Sequence, residues 1–399
     1  MSGMSRLSSS RRYIFIALAL ILGLHFILSI SHEGYGQASS FRESSTTKTR
    51  VPPARMQGNL MPNETHFIVE TTIGRVAKPA GPRRANATFV ILARNSDLDG
   101  VLHSMRSNEE RFNRNYDYPY VLLNEVPFTE EFIRRATAVT HGTVSFGQIP
   151  AENWYQPDWI DEDLASQGRR EMESQGIIYA GSVPYRNMCR FNSGFFFRHE
   201  LLQPYRYYWR IEPDVEFNCG LNYDPFIFME DNNKVYSERI RLMLNALTEW
   251  EPTISTLWST VKEFITEHPQ YLADDNAMKF LSDDGGQTYN LCHYWSNFEI
   301  ADLDFWRGEA YTKFFDYLES KGGFYYERWG DAPVHSIAAS LFARKDQTHF
   351  FDDIGYSHPP FEHCPSGDAW SAGHCACSPS NSIDHRPNSC LKRFRSLFN

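Results

Sequence analysis

From residue 87 onward, short apolar runs alternate with stretches in which the apolar positions recur at helical spacing. Thr88–Ala93 (TFVILA) is a continuous apolar run of the length a buried strand needs. Ser96-Asp97-Leu98-Asp99 follows as a capping-box pattern, and Leu98, Val101, Leu102 and Met105 continue it on one helical face. Tyr118–Leu123 predicts the next strand, Thr129–Val139 a helix and Thr143–Ile149 a third strand. Strand–helix–strand units with short loops predict an α/β fold, a mostly parallel mixed sheet flanked by helices. Ligands of such sheets sit at the carboxyl ends of the strands, where Arg94, Asn95 and Ser96 fall. Later helices are marked by Leu257, Val261, Phe264 and Ile265, by Leu303, Trp306, Ala310, Tyr317 and Leu318 before Gly322-Gly323, and by Asp331–Ala343.

The amino-terminal pattern is different. Tyr13–Ile30 (YIFIALALILGLHFILSI) is a run of 18 residues without Asp, Glu, Lys or Arg, which reaches the length of a membrane-spanning helix. Arg6, Arg11 and Arg12 precede it and no acidic residue does, so residues 1–12 should stay cytosolic and the rest become luminal. A cleaved signal peptide is the alternative; the length of the run favours an uncleaved signal-anchor and a type II membrane topology. Residues 31–84 are rich in Ser, Thr, Gly, Pro and Arg and read as a flexible stem, leaving 85–399 as the folded luminal domain. Asn63-Glu64-Thr65 and Asn86-Ala87-Thr88 are glycosylation acceptors on that side of the membrane.

Hydrophobic residues make up 42% of the 399-residue chain and aromatics 15%, enough for a sizeable core. The formal net charge of −10, without any Lys/Arg-rich block, argues against a nucleic-acid partner. The seven cysteines, Cys189, Cys219, Cys292, Cys364, Cys375, Cys377 and Cys390, are an odd number, so an oxidising lumen leaves at least one unpaired or intermolecular. Four of them crowd the carboxyl terminus beside His363, His374 and His385, where disulfides pinning an irregular tail are favoured over a zinc site because no standard ligand spacing is present.

Candidate chemistry centres on Tyr207–Gly220 (YYWRIEPDVEFNCG), where an aromatic strand-like run ends in Glu212, Asp214 and Glu216 with Pro213 at the bend. A buried strand ending in carboxylates can hold a divalent cation on a rigid element; by itself the cluster also fits a charged surface turn. Further polar residues sit among aromatics in segments that read as loops: Tyr185–Phe191, Asn290–Ile300, Arg328–Asp331 and Ile354–Pro360. Aromatic walls with a few fixed polar groups suit a sugar. Neither G-x-x-x-x-G-K-[ST] nor G-x-G-x-x-G occurs, so a bound phosphate would need a metal and arginines to neutralise it.

Taken together, YRNMCRFNSGFFF, YYWRIEPDVEFNCGLNYDPF, DDGGQTYNLCHYWSNFEIADLDFWR, YYERWGDAPVHSIAASLF and DIGYSHPPFEHCP resemble the fungal Kre/Ktr-type α-1,2-mannosyltransferases, in order, from about Thr88 to Cys377. The resemblance implies a GT-A-like glycosyltransferase fold behind an N-terminal transmembrane anchor in the Golgi membrane. It further implies GDP-mannose as donor, Mn²⁺ as cofactor, retention of configuration, and mannose-containing N- or O-linked glycans of glycoproteins as acceptors. On matching positions, Glu212 and His358 become the metal ligands, a carboxylate and an imidazole suited to Mn²⁺. Glu299 becomes the carboxylate near the anomeric carbon, either as nucleophile or as electrostatic support for the oxocarbenium-like charge. Tyr185 matches a tyrosine beside metal and donor phosphates, and Arg94 the nucleotide-side arginine. Asp331 is either a ligand of the acceptor hydroxyl or the N-cap of its helix. Asp214 and Glu216 support the metal site, and Trp295 and Tyr294 are acceptor walls or core. After Asn233–Tyr236 the chain departs from the family pattern with SERIRLMLNALTEWEPTI, which puts the local sheet pairing in doubt.

Overall fold

The computed structural model describes residues 69–71, 83–241, 251–386 and 389–398. The anchor Tyr13–Ile30, most of the stem and Asn63 lie outside them, and no described helix is long and apolar enough to cross a membrane.

Eleven strands are described: β1 (Val69–Thr71), β2 (Ala87–Leu92), β3 (Tyr120–Asn124), β4 (Val144–Gln148), β5 (Tyr207–Arg210), β6 (Glu216–Phe217), β7 (Tyr236–Arg241), β8 (His293–Asp302), β9 (Thr348–Phe350), β10 (Tyr356–His358) and β11 (Phe361–His363). The main sheet runs β1-β4-β3-β2-β5-β8-β7-β9. Its β4-β3-β2-β5 half is parallel, as the strand–helix–strand pattern predicts. β8 then lies antiparallel between β5 and β7, so the sheet is mixed.

The period of two along each strand splits the core into two layers. Phe89, Ile91, Trp209, Phe298 and Ile300 pack on one face, with Val101 and Met105 of the helix Leu98–Arg111. Val90, Tyr208 and Ala301 pack on the other, against the helices Val183–Gly194, Glu309–Lys321 and Asp331–Phe342. Arg210 and Glu299, in step with Tyr208 and Ala301, therefore belong to this second face.

Two local readings are corrected, and the pairing left open after Tyr236 is given. Tyr185–Phe191 is not a loop: Ser182 caps the helix Val183–Gly194 by accepting from the Tyr185 amide at 3.2 Å. Its buried face carries Arg186, Asn187, Arg190 and Asn192, which hides the apolar stripe that normally announces a helix. His293–Ile300 is likewise part of β8, a central strand with nine of its ten residues buried and hence without alternation. In the divergent segment, Tyr236–Arg241 pairs with both β8 and β9, with a register shift between Glu238 and Ile240; residues 242–250 lie outside the described set.

A smaller sheet, β11-β10-β6, stands at the carboxyl end of β5. Its Ser357↔Glu216 and Tyr356↔Phe217 register returns the late IGYSH segment to the chain just after the carboxylate cluster. Gly355 allows this approach, because a Cβ there would meet Cys219 Sγ at 2.3 Å. The crowded carboxyl-terminal cysteines are spent in disulfides, Cys219–Cys375, Cys364–Cys377 and Cys292–Cys390, and Cys189 is the odd one, buried. That bonding removes the thiolates a zinc site would need.

Candidate active site

All four residues of β5 are buried, and the chain leaves the sheet at Ile211-Glu212-Pro213-Asp214. Asp214 takes a left-handed backbone (φ 59), and its amide donates to the Gly100 carbonyl at 3.1 Å. This turn parts the two carboxylates. Asp214 packs onto Gly100 in the first turn of the helix Leu98–Arg111, where an added Cβ would lie 2.7 Å from its Oδ2. Glu212 instead faces His358, with Oε2 3.1 Å from Nε2. Glu216, exposed on β6, lies in register with Ser357.

The Glu212–His358 pair passes a simple fit test for a divalent cation. Two adjacent ligands of an octahedral ion at about 2.1 Å lie about 3 Å apart, close to the distance seen. Their side chains are 25% and 33% exposed, open enough for an ion and a phosphate to reach. Burial alone would push the Glu212 carboxyl up; the Arg210 charge and the hydrogen bonds from His358 and Arg210 outweigh it and hold Glu212 down at about 2. The group is a carboxylate throughout the physiological range, as a metal ligand must be.

Arg210, at the end of β5, connects this pair to Asp331. One guanidinium nitrogen donates to Glu212 Oε1 and another to Asp331 Oδ2, each at 2.5 Å. Burial would lower the Arg210 pKa, but the charges of Asp331, Glu212 and Glu299 raise it well above its usual value. Ser296 Oγ of β8 also donates to Asp331 Oδ2, at 2.9 Å. The N-cap reading of Asp331 falls: Gly330 is the cap residue, and Asp331, the first residue of the helix, turns its carboxylate to Arg210 and Ser296.

Glu299 is 1% exposed on β8. Its Oε1 accepts from the Tyr208 hydroxyl at 2.5 Å; Oε2 accepts from the Tyr236 hydroxyl and faces His335 Nδ1, both at 3.0 Å. His335 Nε2 meets the Asn192 carbonyl at 3.0 Å, and its ring stacks on Trp306 with centroids 4.3 Å apart. Burial, and then the Glu299 charge, push the Tyr208 hydroxyl well above its usual pKa, so it remains a proton donor. Tyr185 is half-buried; its ring stacks on Tyr179 at 4.6 Å and the Arg328 guanidinium lies 5.3 Å from its centroid. Arg94 stands exposed after β2, beside Asp97 at 3.4 Å.

Glu212, His358, Asp331 and Glu299 thus gather around the carboxyl end of β5 and the adjoining β8, while Asp214 and Arg94 belong to the β2 side. Arg210, Ser296, Tyr208, Tyr236 and His335 were not singled out from the sequence. The alternation of β5 places Arg210 on the face of Tyr208, which is the signal that could have found it.

Comparison with known proteins gives the family. The family model described as glycolipid 2-alpha-mannosyltransferase matches residues 42–398. Glycolipid 2-alpha-mannosyltransferase 2 of Candida albicans is 54% identical over 317 residues, 79% of this chain and 68% of its own. Alpha-1,2 mannosyltransferase KTR1 of Saccharomyces cerevisiae is 49% identical over 321 residues, 80% of each. Among solved structures, core-mannan synthase A of Aspergillus fumigatus in its Mn/GDP form superposes with a TM-score of 0.74 at 39% identity, covering 80% of this chain and 87% of that one. The mannosyltransferase Ktr4p of S. cerevisiae in complex with GDP also gives 0.74, at 40% identity over 82% and 88%. The chain belongs to the glycolipid 2-alpha-mannosyltransferase family of α-1,2-mannosyltransferases.

Proposed function

We propose that this protein transfers mannose from GDP-mannose to the 2-hydroxyl of a terminal mannose on glycoprotein glycans, with retention of configuration and dependence on Mn²⁺. The observation that carries the reading is the meeting of Glu212 and His358 across 146 residues of chain at 3.1 Å. When bound there, a divalent cation supplies charge neutralisation for the departing diphosphate. Glu212 and His358 would hold it. Tyr185, half-buried on its helix, offers a hydroxyl to the donor side, and Arg94 a guanidinium to the nucleotide.

Glu299 supports a buried negative charge behind the reacting carbon. Both of its oxygens already accept hydrogen bonds, which favours electrostatic support of a developing oxocarbenium charge over covalent attack. The three disulfides suit an oxidising compartment. With the basic amino-terminal flank of Tyr13–Ile30, they support a luminal Golgi domain on a type II anchor.

The test incubates the purified protein with GDP-mannose, Mn²⁺ and methyl α-mannoside, and analyses the product linkage. An α-1,2-mannobioside that forms with Mn²⁺, and fails with EDTA or with Glu212→Ala, supports the proposal. Undiminished transfer by Glu212→Ala counts against it.

A further inference from the structure

Asp331 is not the N-cap of its helix but the partner of a buried arginine. Its side chain is 8% exposed, and its Oδ2 accepts from both Arg210 and Ser296. The Arg210 fork is split between two carboxylates far apart in the chain, one nitrogen to Glu212 Oε1 and one to Asp331 Oδ2. That leaves Glu212 Oε2 as the oxygen turned to His358. One end of the fork therefore sets which lone pairs of Glu212 face the cation site, and the other end is fixed by a helix start and a sheet hydroxyl.

Charge gives the arrangement a second purpose. A guanidinium one hydrogen bond from Glu212 repels a dication at the same carboxylate, and it does so strongly because Arg210 is 10% exposed. Asp331 supplies the negative charge that offsets it. The three groups sum to −1 rather than zero, which leaves Glu212 attractive to a cation. The first-turn position of Asp331 places this carboxylate at the positive end of the helix Asp331–Phe342, where a negative charge is favourably placed.

We propose that Asp331 acts through Arg210 as a positioning residue, the Asp331–Arg210–Glu212 chain orienting and charge-balancing the metal-ligating carboxylate, rather than contacting the acceptor. The inference rests on the assignment of Glu212 as a metal ligand. Partners that orient ligating carboxylates commonly change metal affinity 10- to 100-fold when removed.

The experiment measures Mn²⁺ affinity by electron paramagnetic resonance on the purified full-length protein, alone and with GDP. It compares wild type with Asp331→Asn, Arg210→Gln, the double variant and Glu212→Ala. Asp331→Asn keeps the side-chain shape and an acceptor for Ser296, so it carries the test even where Arg210→Gln fails to fold. Asp331→Asn is expected to weaken Mn²⁺ binding by about 10- to 100-fold. The double variant, which restores the net charge of −1, should bind Mn²⁺ more tightly than Asp331→Asn alone, and whatever loss it keeps reads the lost orientation of Glu212. Breaking this buried ion pair lowers the melting temperature of the Asp331 and Arg210 variants, so affinities are compared well below it. At saturating Mn²⁺ the KM for methyl α-mannoside should stay near wild type. Wild-type Mn²⁺ affinity in Asp331→Asn together with a raised acceptor KM would overturn the inference and make Asp331 an acceptor contact. If Glu212→Ala also binds Mn²⁺ normally, the metal assignment itself fails and the relay with it.

Discussion

Replacing Glu299 with alanine should unfold the protein at a lower temperature as well as impair transfer. The side chain is 1% exposed and receives Tyr208, Tyr236 and His335. Tyr208, Tyr236 and His335 are themselves buried. Removing one member of a buried, hydrogen-bonded charged cluster costs about 3–5 kcal/mol, mostly through the partners left unsatisfied. A kcal/mol shifts the midpoint by about 2–4 °C in domains of 150–250 residues, and somewhat less in larger ones. The expected fall is therefore roughly 5–10 °C for Glu299→Ala. Glu299→Gln, which keeps the shape and one acceptor, should fall by less than half as much. Thermal unfolding followed by circular dichroism reads both. A Glu299→Ala midpoint within about one degree of wild type would refute the buried network around Glu299.

Two other perturbations test the fold around the site. His349 lies between Phe228 and Phe351, with ring centroids 4.5 and 4.7 Å away, and burial followed by the Lys234 charge holds its imidazole down at about 4. Between pH 6.5 and about 4 the unfolded chain binds this proton and the folded one does not. Stability should thus be full above pH 6.5 and decline as the pH falls to about 4, by at most about 3 kcal/mol at 1.36 kcal/mol per unit. Denaturant midpoints across that window should flatten in His349→Phe, and an identical slope in the variant would contradict the assignment. Removing Cys292–Cys390 with the double alanine variant opens a loop of 98 residues and should cost about 4–5 kcal/mol. An unchanged guanidinium midpoint would show that the bond does not constrain the chain.

The parallel half of the sheet was readable because its signals are local. TFVILA and the 129–139 periodicity each lie within one element, and β2, β3 and β4 form within a residue or two of the predicted limits. The capping box at Ser96 did not form, because Asn95–Asp97 make a separate 3-10 turn and Asp97 is the N-cap of the helix Leu98–Arg111. The second half of the domain hides its elements by burying them too well. β8 has no exposed face, and the helix Val183–Gly194 buries Arg186 and Arg190 along with Cys189 and Phe191, so neither period showed. Glu212 was visible as the end of a strand. His358 drew meaning from the family resemblance alone, since the β10–β6 pairing that brings it home has no local trace. Arg210, Ser296 and His335 matter through partners 35 to 121 positions away, which periodicity cannot report. The N-cap reading of Asp331 failed for the same reason, since its carboxylate turns to Arg210 and Ser296 instead.

The central claim is that Glu212 and His358 together hold the ion on which mannosyl transfer depends. Pulsed electron paramagnetic resonance on the Mn²⁺–GDP complex of the full-length protein tests it directly. The account predicts a nitrogen coupling from one imidazole that disappears in His358→Gln, with transfer lost in step. A coupling that persists unchanged in that variant would contradict it.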